Sequence, residues 1–115
     1  MSGRNTLVLL HGILTEITKV SRLTEGYQYG DFYRDEQTYA SVTGCLQAID
    51  EMVHQIPTII RVKYALLPWK ELTVLEEAVA RADPVTRPKI IWKISTETLP
   101  RIRPLVESLI DEMGK

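Results

Sequence analysis

The side chains in this 115-residue chain that could do chemistry are few: two histidines, one cysteine and several charged clusters. Imidazole titrates nearer neutrality than any other unperturbed side chain, so His11 or His54 could move a proton. Arg4 lies seven residues before His11, a separation that puts both on one helical face. Such a pair suits a phosphate ester, because the cation stabilises developing charge while the ring shuttles a proton. The plainer reading of His11 is a half-buried or dimer-facing helix residue. His54, close to Pro57, reads as a residue that complements the C-terminal dipole of a helix. Cys45 falls within an apolar pattern and is expected to be a small core residue.

Other clusters have plain readings too. Glu25, Asp31, Asp35 and Glu36 gather around one short stretch. Carboxylates there are expected to act as solvated caps rather than metal ligands, and neither metal nor cofactor is predicted. Tyr27, Tyr29, Phe32, Tyr33 and Tyr39 fall within thirteen residues. They could stack nucleobases or anchor a partner, since tyrosine offers large area at low entropic cost. The favoured reading is that they fold their own segment back over the core. Glu71, Glu76, Glu77 and Arg81 have the i,i+4 and i,i+5 spacings of a solvated, salt-bridged helix face.

These residues need elements to position them. The run NTLVLLHGIL, residues 5 to 14, could be the strand and His-Gly turn with which many α/β-hydrolases begin. That class needs a large doubly wound sheet and a Gly-x-Ser-x-Gly elbow, and neither fits here. The apolar residues instead recur at threes and fours: Leu7, Leu10, Ile13 or Leu14, Ile17, Val20 and Leu23, which predicts a helix containing His11. Gly12 weakens that helix by about 1 kcal/mol relative to Ala.

Residues 24 to 34 hold two glycines and no helical period, which predicts a connecting loop. Asp35 is the expected N-cap of a second helix with the face Tyr39, Val42, Leu46, Ile49, Val53 and Ile56. Pro57 marks its end, or the start of a short third helix through Tyr64. Pro68-Trp69 opens a further helix whose stripe Leu72, Leu75 and Val79 stops near Asp83-Pro84. A last helical part carries Ile90, Ile91, Ile94, Leu99, Ile102, Val106, Leu109 and Met113, with Gly114 as its punctuation. Pro100 and Pro104 should kink it or split it in two. Residues 87 to 94 could be a strand from their β-branched content, but only Thr58 to Val62 could partner it. The predicted fold class is all-α: one domain over residues 1 to 115, an up-down bundle of four or five helices.

Bulk properties narrow the function classes. Fourteen basic residues balance fifteen acidic ones, so no whole-chain footprint for nucleic acid exists, and RNA stays an open partner. A single cysteine excludes an internal disulfide and a cysteine-rich zinc site, which fits a reducing compartment. Without a signal peptide or a run of about 18 apolar residues, a cytoplasmic protein with no membrane partner is expected.

The order of motifs along this bundle resembles the HepT-like group of the HEPN superfamily. A first helix of the form Leu-Leu-x-Asp-Ile is matched by Leu9-Leu10-His11-Gly12-Ile13, and a loop carrying Phe-x-x-Asp by Phe32 to Asp35. An Ile-Gly-Glu-Ala step is similar to Ile49-Asp50-Glu51-Met52. Pro-Trp-Arg-x-Ile is matched by Pro68-Trp69-Lys70-Glu71-Leu72, and Val-Trp followed by Leu-Pro by Ile91-Trp92 and Leu99-Pro100. The resemblance covers nearly the whole chain.

It implies a small helical protein, usually encoded beside a minimal nucleotidyltransferase, that dimerises. Active members are RNA-cleaving toxins silenced by that partner. They cut without metal through an Arg-x4-His-x-Tyr motif, one per protomer, whose tyrosine the partner modifies.

The ungapped alignment departs at that motif. Glu76 stands at the arginine, Glu77 at the next polar position, Arg81 at the histidine and Asp83 at the tyrosine. A carboxylate facing phosphate at about 4 Å repels it by some 1 to 4 kcal/mol. A guanidinium does not give up its proton near neutrality, so Arg81 cannot be a base. No catalytic residue is therefore assigned. Arg4-Asn5-x5-His11 is a loose version of the motif on the wrong helix and marks the one relocated site worth testing. The expected function is a catalytically degenerate, partner-binding HepT-like subunit. The alternatives are an active RNA-cleaving toxin and a stand-alone helical scaffold.

Overall fold

The computed structural model describes residues 3–73 and 75–115, apart from the side chains of Arg4, Leu75 and Glu76. The helices are α1 (Gly3–Thr24), α2 (Tyr29–Arg34), α3 (Glu36–Gln55), α4 (Thr58–Lys63), α5 (Trp69–Thr73), α6 (Leu75–Arg81), α7 (Arg87–Lys93) and α8 (Leu99–Met113). A wide π-helical turn, Ile94–Thr98, joins α7 to α8. No strand occurs among the described residues, so both β-rich windows, 58 to 62 and 87 to 94, are helical. The hydrolase strand and turn are likewise absent, because residues 5 to 14 lie inside α1.

α1 and α3 are antiparallel, with Asn5 near Gln55 and Gly12 against Met52. A β-carbon at residue 12 would lie 2.5 Å from Met52 Sδ, so the glycine that weakens α1 locally also seats the α3 side chain. α8 packs along α1, and α5 and α6 pack against α3. The core follows the predicted periodicity: Leu10, Ile13, Ile17 and Val20 from α1 meet Val42, Leu46, Ile49 and Val53 from α3 and Ile102 and Val106 from α8. Cys45 is buried among them, and burial pushes its thiol upward. No helix is long and apolar enough to cross a membrane among the described residues.

Three expectations about elements need correction. Residues 24 to 34 are not all loop, because 29–34 form α2. The Asp31 carboxylate accepts the Gln28 N–H at 2.9 Å, half of a reciprocal cap, and buried Phe32 pins the turn. The stripe Leu72, Leu75 and Val79 is divided between α5 and α6, with Val74 outside the described residues. The last segment is irregular before its prolines rather than at them. Pro100 lies in the first turn of α8, where no N–H is needed, and the Leu99 N–H reaches back five residues to Ile94 O. Pro104 is accommodated inside α8.

Asp35 is the N-cap that the sequence predicts. Its Oδ1 accepts the Thr38 N–H at 3.0 Å, and its Oδ2 accepts the Thr38 hydroxyl at 2.8 Å and the Tyr27 hydroxyl at 2.6 Å. The Tyr27 bond foremost, then Thr38, holds the Asp35 carboxyl below its ordinary range, while the same bond raises the Tyr27 phenol.

A depressed carboxylate stabilises the fold above its unfolded value and loses that contribution as pH falls through the folded value. A raised phenol stabilises below its unfolded value and loses that contribution as pH rises through the folded one. Urea midpoints measured across pH should therefore fall at both extremes. In Tyr27→Phe the loss at both ends should be smaller; an unchanged profile would show that this bond is not made in solution.

Candidate functional site

Three of the four motif positions lie on α6 and the fourth just beyond it. The Glu76 side chain lies outside the described residues. Glu77 and Arg81 form an i,i+4 ion pair on an exposed face, with side chains 53% and 79% accessible. A pair so solvated contributes only about 0.3–0.5 kcal/mol. Its chemical meaning is larger, because the guanidinium at the histidine position already faces a carboxylate of its own helix.

Asp83 serves the backbone. Its Oδ1 accepts the N–H groups of Val85 at 3.0 Å and Thr86 at 2.8 Å, and its Oδ2 accepts the Thr86 hydroxyl at 3.1 Å. These bonds, the Thr86 N–H first, hold its carboxyl below the usual range. Asp83 thus turns the chain from α6 into α7. Arg87 completes the corner by donating from Nε to Val79 O at 3.0 Å, which also accepts the Ala82 N–H at 3.3 Å, and from Nη2 to Ala82 O at 2.8 Å, so it supports carbonyls at and just past the end of α6. Sequence reasoning missed Arg87; a cation a few residues past a predicted helix end was the available signal.

The remaining candidates are scattered. His11 is exposed on α1 rather than half-buried, and the Arg4 side chain lies outside the described residues. His54 occupies the last turn of α3, as the dipole reading requires, with Nδ1 2.7 Å from Asp50 O. That contact requires a proton on Nδ1. Asp50 Oδ2 is 3.5 Å from the same nitrogen, and the buried Oδ1 has no hydrogen-bond partner among the described residues. Asp31 and Asp35 are caps, and Glu25 and Glu36 are exposed. Among the described residues, no three His, Cys, Asp or Glu side chains gather as metal ligands.

The aromatic segment does fold over the bundle. Phe32 is fully buried with its ring centroid 5.2 Å from that of Trp92 and 5.5 Å from that of Tyr39, and Tyr29 meets the edge of Trp92 at 6.3 Å. Tyr33 stays 61% exposed. With Tyr29, Pro84, Val85 and Lys89 it lines an open groove of about 460 Å³ beside the Asp83 turn. Across the bundle, Arg101 pairs with Glu71 and ties the start of α8 to α5. The α6 surface therefore presents charge and hydrogen-bonding groups but no imidazole.

The comparisons agree with this architecture. Residues 13–109 match the family described as ribonuclease HepT-like. Two Methanocaldococcus jannaschii proteins whose names provisionally assign them an RNase activity are each 26% identical over 98% of this chain, covering 93% and 97% of their own lengths. A Thermococcus cleftensis protein named as a probable ribonuclease HepT is 24% identical over 87% of this chain and 91% of its own. No solved structure matches. With the match running from the middle of α1 through α3 and the α6 region into α8, the chain belongs to the HepT-like ribonuclease family.

Proposed function

We propose that this chain is a catalytically silent, partner-binding member of its family. It forms a homodimer through the helices that frame the cleft in active members, and it docks a small nucleotidyltransferase in a cytoplasmic toxin-antitoxin type system. The observation that carries the reading is the state of the motif positions. Arg81 is paired with Glu77, and Asp83 is committed to three bonds within its own turn. Arg81 cannot act as a base towards a ribose hydroxyl near neutrality, because its guanidinium keeps its proton, and the Asp83 carboxylate is occupied by its own turn.

Purified protein incubated with single-stranded RNA without metal should leave it intact, expression should not arrest growth, and a nucleotidyltransferase encoded next door should co-purify. Cleavage that disappears in His11→Ala would instead establish the active-toxin reading, which the family membership favours, with its chemistry moved to α1. Intact RNA without any nucleotidyltransferase among the co-purifying proteins would leave the chain as a stand-alone scaffold.

A further inference from the structure

We draw no further inference here: the strongest candidate, the open aromatic groove that Tyr29 and Tyr33 of α2 form with Pro84, Val85 and Lys89 beside the Asp83 turn, carries none, because nothing in the structure shows what covers it and the nucleic acid its rings could stack restates the substrate class of the family.

Discussion

Phe32→Ala should destabilise the protein by about 3–5 kcal/mol, the range for deleting a fully buried aromatic side chain. The ring is completely inaccessible and sits between Tyr39 and Trp92, and it is the one buried residue of α2. Its loss leaves a cavity that backbone bonds of a six-residue helix cannot close, and it detaches α2 from both α3 and α7. Chemical denaturation with fluorescence detection measures the loss directly. Because a domain of this size is stabilised by only about 5–15 kcal/mol, the variant should be close to unfolded at physiological temperature. Tyr33→Ala, at an exposed position in the same helix, should change stability by under about 0.5 kcal/mol. Equal effects from the two substitutions would mean that α2 is not anchored as described.

The second large effect concerns activity. Glu76→Arg combined with Arg81→His should confer metal-independent RNA cleavage at least about 10²-fold above the wild-type level, the lower bound for supplying a positioned acid–base group. The exchange removes a carboxylate that repels phosphate, adds a cation in its place, and puts an imidazole where a permanently charged guanidinium stood. It leaves Asp83 in its turn, so the corner between α6 and α7 keeps its hydrogen bonds. Glu76→Arg with Arg81→Gln serves as the control, since it binds RNA equally but has no proton shuttle. Cleavage by both pairs, or by neither, would show that the α6 surface is not a nuclease frame missing only its chemical groups.

How far the letters of the sequence reach is clearest by element. α1 and α3 were legible because both are long, amphipathic and buried along one stripe, so each position reports its own burial through its spacing. The Asp35 cap was legible for the same local reason. α2 was not, since six residues cannot show a helical period, and its formation depends on Phe32 finding Trp92 sixty positions away. The division between α5 and α6, and the wide turn ahead of Pro100, are backbone accommodations to neighbours that no residue pattern announces. At the candidate site, the identities of Glu77, Arg81 and Asp83 were readable by alignment alone. That Arg81 faces Glu77, that Asp83 holds a turn and that Arg87 closes it were not.

Helical class and the absence of the arginine and histidine expected on α6 were determined by the sequence itself, because periodicity and residue type are local properties. Tertiary structure decided which surfaces remain open: an aromatic groove beside the Asp83 turn and an apolar side of α4 left uncovered. Exposure is a property of the whole packed chain, since a side chain is buried only when something distant in sequence arrives to cover it.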